Sequence, residues 1–87
     1  MRREVEIVNA LGLHARAAAR FVHLASGFSS QIRVARGGRT MDGKSILGLL
    51  LLSASRGTRI EITADGPDEE QAIDALAALT ARGFEES

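Results

Sequence analysis

The chain has no cysteine, and this absence excludes several kinds of chemistry. Without thiols it forms neither a disulfide nor a nucleophilic thiolate, and it cannot build a zinc site from cysteine ligands. Aromatic residues are also scarce, since the sequence holds three Phe and neither Tyr nor Trp. The core must therefore be aliphatic, and the bases of a nucleic acid would find no aromatic platform on which to stack.

Long apolar runs and a net charge are also missing. The longest apolar run, residues 46–52, is far shorter than the roughly 20 residues that cross a membrane. The N-terminal segment lacks the apolar core of a signal peptide, so we expect a cytoplasmic protein without membrane insertion. The formal charge is zero, yet residues 1–50 carry eight Lys and Arg against three Asp and Glu, and residues 51–87 carry three against eight. This asymmetry predicts a basic face suited to an acidic partner or a phosphate, although such charge blocks are often only solvated surface.

The periodicity of apolar residues predicts the secondary structure. Alternation of polar and apolar residues indicates strands at 3–8, 31–36, 39–42 and 59–65. Helical spacing indicates a helix at 15–26, a short one that follows Ser45 as its N-cap, and one at 67–82. The order β-α-β-β-α-β-α, over a length that suits one small domain, predicts an α+β open-faced β-sandwich. In this fold three helices cover one face of a four-stranded antiparallel sheet.

The stretch LGLHARAAARF, residues 11–21, holds the candidate reactive group. If a helix begins at Ala15, His14 is its N-cap, and the N–H groups of Ala15, Arg16 and Ala17 have no intrahelical acceptor. Such a helix end attracts anions. Histidine can act as a covalent nucleophile, and arginine offers paired donors to a phosphate. We therefore predict that His14 accepts a phosphoryl group and Arg16 binds it, although a histidine at a helix start is more often an ordinary loop residue.

The second histidine, His23, has a different environment. It falls inside the helix, where no backbone N–H groups are free, and shares a face with Arg16, Ala19 and Arg20. We predict that this face contacts a partner protein. No metal site is expected from the two histidines, because their spacing is unsuitable and no carboxylate completes a ligand set. The predicted chemistry also requires no cofactor.

Two segments, GLHARAAA and GKSILGLLLLSASRGTRIEITADGPDEEQAI, resemble the HPr family of phosphocarriers in the phosphoenolpyruvate-dependent phosphotransferase system. The motifs G-L-H-A-R and K-S-I-x-G lie at the family's separation, and the resemblance covers essentially the whole chain. It implies the open-faced β-sandwich and a carrier that is not itself an enzyme. His14 would accept the phosphoryl group from enzyme I on Nδ1 and pass it to a IIA domain. One position departs from the family, which usually has proline where this chain has Ala17. Alanine there adds an N–H group and loosens the first helical turn.

The resemblance also implies a regulatory site and a docking surface. Ser45 corresponds to the serine that an HPr kinase/phosphorylase modifies in many bacteria, although most serines at such positions only cap their helix. Leu49 and Leu52 are the better candidates for the core. We expect the protein to be a monomer. The implied docking surface consists of Ala19, Arg20, His23, Ile46, Leu47 and Leu50.

Three alternatives remain open at this stage. The segments GLLLLSASRG and ARGFEES also resemble the nitrogen-related paralogue, NPr, which directs the same chemistry to regulatory outputs. A regulator that carries no phosphoryl group, and acts by protein contact under control of Ser45, is the second alternative. A ferredoxin-like module for small ligands or RNA has a similar element order, but the chain lacks strand aromatics and a glycine-rich binding loop. The identity of the partner protein would separate the two HPr branches.

Overall fold

The computed structural model describes residues 1–86, and its four strands form one antiparallel sheet in the order β1-β4-β2-β3. The strands are β1 (Arg2–Glu6), β2 (Gln31–Arg36), β3 (Arg39–Asp42) and β4 (Arg59–Asp65). The helices are α1 (Ala15–Ala25), α2 (Ile46–Leu51) and α3 (Glu69–Ala81), followed by a 3₁₀ turn at Gly83–Glu85. The predicted α+β open-faced sandwich is confirmed.

The alternation along the strands separates a buried face of the sheet from an open one. On β4, Ile60, Ile62 and Ala64 are buried, and the intervening Glu61 and Thr63 are partly exposed. The register keeps apolar residues together across strands, since the buried Ile60 pairs with Val5 of β1 and the buried Ile62 pairs with the buried Val34 of β2. A period of two therefore directs one set of side chains toward the helices and leaves the other set at the solvent.

Helix α2 is only one and a half turns long and is stabilised at both ends. At its start the Ser45 hydroxyl accepts the N–H of Gly48 at 3.0 Å, as the sequence predicts. At its end, two guanidinium groups from β2 and β3 donate to backbone carbonyls, Arg36 to Leu52 at 3.0 Å and Arg39 to Leu51 at 2.7 Å. Since so short a helix is not stable alone, these contacts fix its orientation.

The core between the helices and the sheet is mostly aliphatic, as expected from the composition. Leu49 and Leu52 are buried, which confirms the prediction for both. Two of the three phenylalanines, Phe21 and Phe84, are also fully buried. Phe84 lies in the C-terminal 3₁₀ turn, an element that the sequence patterns did not predict.

Element boundaries differ slightly from the predictions. Strand β1 ends at Glu6 instead of residue 8, although the N–H of Ile7 still donates to the carbonyl of Thr58 at 2.9 Å. Helix α1 ends at Ala25, with Ser26 as its C-cap. Within residues 1–86, every helix is too short or too polar to span a lipid bilayer.

Candidate functional site

His14 occupies the N-cap of α1, as the sequence predicts. Its backbone is extended, and the first intrahelical bond runs from the N–H of Ala18 to the His14 carbonyl at 2.8 Å. The side chain turns back over the helix end, where ring nitrogen Nδ1 accepts the N–H of Arg16 at 3.3 Å. The imidazole is therefore held at the positive end of the helix dipole, the position from which a bound phosphoryl group would meet backbone donors.

The loop before His14 packs closely against the segment after α2. Gly12 has φ +66°, and a Cβ atom there would lie 2.6 Å from the carbonyl oxygen of Ala54, so only glycine fits. The next residue, Leu13, is buried and donates its N–H to the same carbonyl at 2.9 Å. These contacts fix the backbone that carries His14.

A carboxylate contacts the other nitrogen of the ring. Nε2 of His14 lies 2.6 Å from Oε2 of Glu86. The second carboxylate oxygen, Oε1, accepts from Nδ2 of Asn9, also at 2.6 Å. The sequence gives no local signal for the contact between His14 and Glu86, because the two residues are 72 positions apart along the chain.

The carboxyl of Glu86 is ionised in this environment. Its partial burial acts to raise the pKa, but hydrogen bonds from Asn9 and His14, together with the charges of His14 and Arg20, outweigh burial and hold the pKa of Glu86 below its usual value. An ionised carboxylate has no proton to donate. The close contact with His14 therefore requires that Nε2 carries a proton, and in the neutral form of the ring the lone pair is then on Nδ1.

A basic cavity of about 780 Å³ adjoins the residues that contact His14. Val8 and Leu11 line it on one side and are exposed, Leu11 to 73%. Two glutamates, Glu85 and Glu86, also line the cavity, but four arginines outnumber them, and planar guanidinium groups bind phosphate oxygens in pairs. The arginines in the lining are Arg16, Arg20, Arg56 and Arg82.

The backbone donors predicted for the phosphate differ in accessibility. Ala15 and Arg16 are exposed, but the Arg16 N–H is already donated to the imidazole ring. Ala17 is fully buried in the core beneath the first turn, so its N–H is not available to a phosphate in this state. The first turn is well formed despite the alanine, because the methyl group of Ala17 packs in the core.

The residues predicted for partner docking lie on two helices that pack against each other, α1 and α2. Ala19 and His23 are exposed, and Arg20 is half-buried because its guanidinium donates to the carbonyl of Phe84 at 2.5 Å. The same three residues line a second cavity of about 490 Å³ between α1 and α3. This face of α1 is therefore open and basic.

On α2 the apolar residues predicted for docking differ in their exposure. Ile46 and Leu47 are exposed, to 42% and 67%, as expected. Leu50, also predicted for docking, is half-buried and packs against the core, so only part of its side chain faces the solvent. Leu51 is 48% exposed instead, because it lies four positions after Leu47 and shares its helix face.

Ser45 is half-buried at the start of α2, and its hydroxyl is used as the cap. The neighbouring Lys44 donates from Nζ to the carbonyl of Phe28 at 2.8 Å.

Across residues 1–86, no three His, Asp or Glu side chains come together in a way that could hold a metal ion.

Comparison with known proteins identifies a common family. The family model described as "PTS HPr component phosphorylation site" matches residues 1–82. The Phosphocarrier protein HPr of Cupriavidus necator is 48% identical over 86 residues, covering 99% of this chain and 97% of that protein. Among solved structures, HPr-C-His from Thermoanaerobacter tengcongensis superposes with a TM-score of 0.96 at 45% identity, covering 100% and 98% of the two chains. An HPr dimer from the same organism gives a TM-score of 0.80 at 48% identity, with 94% of each chain covered.

Proposed function

Because the chain belongs to the HPr family of phosphocarrier proteins of the phosphotransferase system, we propose that His14 accepts a phosphoryl group from phosphorylated enzyme I and passes it to a IIA domain. The observation that carries this proposal is the orientation of the imidazole ring. Nδ1 faces the N-terminus of α1, and Nε2 faces a carboxylate. A neutral ring in this tautomer presents the lone pair that covalent catalysis requires.

Arg16 is the proposed partner of the phosphoryl group. It is exposed at the second position of α1 and lines the basic cavity beside His14. Once Nδ1 is bonded to phosphorus, it no longer accepts the Arg16 N–H, which is then free to bind a phosphoryl oxygen. The backbone and the guanidinium of one residue would thus neutralise the group together.

The proposed docking surface joins the exposed face of α1 to the apolar patch of α2. Exposed leucine and isoleucine side chains next to arginines suit a partner with an apolar centre and an acidic rim. Enzyme I and the IIA domain would use this surface in turn. The proposed working form is a monomer in the cytoplasm. The surface consists of Ala19, Arg20, His23, Ile46, Leu47 and Leu51, with Leu50 beneath it.

Regulation at Ser45 is a further part of the proposal. The hydroxyl lies at the N-terminus of the helix that carries the apolar patch. A phosphate on it would add about 1.5–2 negative charges beside the docking surface and repel an acidic partner. An HPr kinase/phosphorylase with ATP should modify the wild-type chain and leave Ser45→Ala unmodified.

The test of the relay uses phosphoenolpyruvate with enzyme I and measures phosphate incorporation by intact mass. We expect one acid-labile phosphate on the wild type and none on His14→Ala. His23→Ala, the control for the second histidine, should reach the same one phosphate at completion, although its place in the docking surface slows the transfer. Enzyme I of both the sugar type and the nitrogen type should be used, because the faster donor identifies the branch. Absence of incorporation with both enzymes, or a phosphate on His14→Ala, would refute the relay through His14.

A further inference from the structure

We propose that Glu86, held in place by Asn9, is a positioning residue of the phosphoryl relay. It keeps the ring proton of His14 on Nε2, so that Nδ1 is the nucleophile. It also balances the positive charge that the ring gains when Nδ1 carries the phosphoryl group. This inference rests on the proposed function and deepens it.

The two ring contacts agree on one tautomer. Oε2 of Glu86 is an acceptor and lies 2.6 Å from Nε2, while the Arg16 N–H is a donor and lies 3.3 Å from Nδ1. The carboxylate contact is the shorter and is charge-assisted, so it is the stronger determinant. Glu86 thereby selects which nitrogen has the free lone pair.

Asn9 fixes the carboxylate from the opposite side. Its Nδ2 donates both to Oε1 of Glu86 at 2.6 Å and to the Gly12 carbonyl at 2.7 Å, which links the loop that carries His14 to the C-terminal segment. Asn9 is buried, and its Oδ1 has no hydrogen-bond partner among residues 1–86. A buried acceptor without a partner costs free energy, so the amide is oriented at the expense of stability.

The backbone that delivers Glu86 is also strained. Gly83, Phe84 and Glu85 all have left-handed φ angles, of +65°, +58° and +63°. Glycine tolerates this conformation, but phenylalanine and glutamate adopt it at a cost. Burial of the Phe84 side chain and the bond from Arg20 to the Phe84 carbonyl hold the turn. Such local strain is typical of segments that place a functional group.

The charge balance follows from the transfer step itself. When Nδ1 of His14 attacks the phosphorus of a donor phosphohistidine, the new N–P bond forms, and the donor imidazole leaves with the electron pair of the old one. Because Nε2 keeps its proton, the ring of His14 becomes an N-phosphoryl imidazolium, whose positive charge faces the Glu86 carboxylate. In the onward step the ring leaves as neutral imidazole, with its lone pair on Nδ1 and its proton still on Nε2. No proton has to move in either direction, which is the advantage that a fixed carboxylate provides.

The first test measures the tautomer of His14 in the free protein by ¹⁵N NMR of the ring nitrogens above the imidazole titration. We expect the wild type to hold the proton on Nε2, and Glu86→Ala to populate the Nδ1–H form as well. Glu70→Gln is the control, since it removes the same charge from an exposed residue of α3 outside the site and should leave the spectrum unchanged. An unaltered tautomer in Glu86→Ala would overturn the positioning role. Because enzyme I takes no part, this result does not depend on whether the relay itself exists.

The second test measures the equilibrium of phosphoryl transfer between enzyme I and this chain. Glu86→Gln preserves the shape of the side chain but not its charge, and should shift the equilibrium toward phosphorylated enzyme I by about five- to tenfold, because charge-assisted hydrogen bonds are markedly stronger than neutral ones. Glu70→Gln should match the wild type. An equal shift in both variants, or none in Glu86→Gln, would overturn the charge-balancing role. Failure of the wild type to be phosphorylated would refute the proposed function and leave the result on the tautomer standing.

Discussion

At the scale of single residues, Asp68 connects two distant parts of the chain. Its position before α3 predicts a favourable interaction with the helix dipole, but its side chain makes no capping bond to that helix. It accepts instead from the N–H groups of Ser29 and Ser30, at 2.8 and 2.9 Å, and from the Ser30 hydroxyl at 2.5 Å. The bond from the Ser30 hydroxyl, followed by the one from the Ser29 N–H, lowers the pKa of Asp68 from its ordinary value of 3.8.

The lowered pKa of Asp68 predicts a pH-dependent contribution to stability. The ionised form is favoured in the folded state, so the contribution is complete above pH 3.8 and is lost as the pH falls through the lower folded-state pKa. We expect Asp68→Asn to reduce the free energy of unfolding at pH 7, with a difference from wild type that narrows below pH 3.8. Urea unfolding at several pH values measures this.

Asp74→Asn is the control for that measurement, because Asp74 pairs with Arg3 at the exposed surface and such pairs contribute little. A loss for Asp68→Asn that equals the Asp74→Asn loss, or that stays constant down to pH 2, would contradict the prediction.

At the scale of elements, helix α2 depends on contacts from outside itself. We expect Ser45→Ala to lower the free energy of unfolding by about 1 kcal/mol, the usual effect of losing an N-cap. Ser45→Asp should retain most of the stability, because aspartate caps helices as well as serine does. Chemical denaturation checks both variants. Ser29→Ala is the neutral control, because Ser29 is exposed and donates its backbone N–H, which the substitution keeps, to Asp68. Equal stability of Ser45→Ala and Ser29→Ala would show that the 3.0 Å bond to Gly48 contributes nothing.

The elements could be predicted because the signals for them are local. The strands at 31–36, 39–42 and 59–65 are found as predicted, since alternation alone defines a half-buried strand. The exposure of single residues is harder to predict, because it depends on neighbours in space. Leu50 and Leu51 are adjacent in a run of leucines, and only the packing of α2 decides which one is buried.

The candidate site likewise contains residues that local sequence predicts and one that it does not. His14 and Arg16 could be identified because a helix start and the residues at it are close in sequence. Glu86 could not be identified in this way. Its contact with His14 spans 72 residues and requires two non-glycine residues with left-handed φ. Such residues normally avoid this conformation, so the backbone preferences of GFEES do not predict a chain that turns back on α1. The buried Phe84 was the one available signal, as an aromatic side chain in an otherwise polar terminal segment.

At the scale of the whole molecule, both terminal segments are part of the packed structure. The N-terminal amino group donates to the carbonyl of Ala64 at 3.0 Å and lies 3.5 Å from a carboxylate oxygen of Glu69. At the other end the 3₁₀ turn places Phe84 in the core and Glu86 against His14. The stability of the fold and the geometry of the site are therefore coupled through one short segment.

This coupling predicts that Phe84→Ala destabilises the whole protein. Removing a fully buried phenylalanine side chain costs about 3–5 kcal/mol, a large part of the stability of a small domain. A loss of about 3 kcal/mol corresponds to a fall in Tm of roughly 12–24 °C, which thermal unfolding by circular dichroism will measure. Phe28→Ala is the control, because Phe28 is only partly buried and its truncation should cost less. Loss of the Phe84 side chain also removes a contact that holds the strained turn. Phe84→Ala should therefore disturb the ¹⁵N signals of His14 as well, whereas Phe28→Ala should leave them unchanged. Equal losses of stability in the two variants, with unchanged His14 signals, would mean that the C-terminal turn is not part of the cooperative unit and that Glu86 reaches the ring without it.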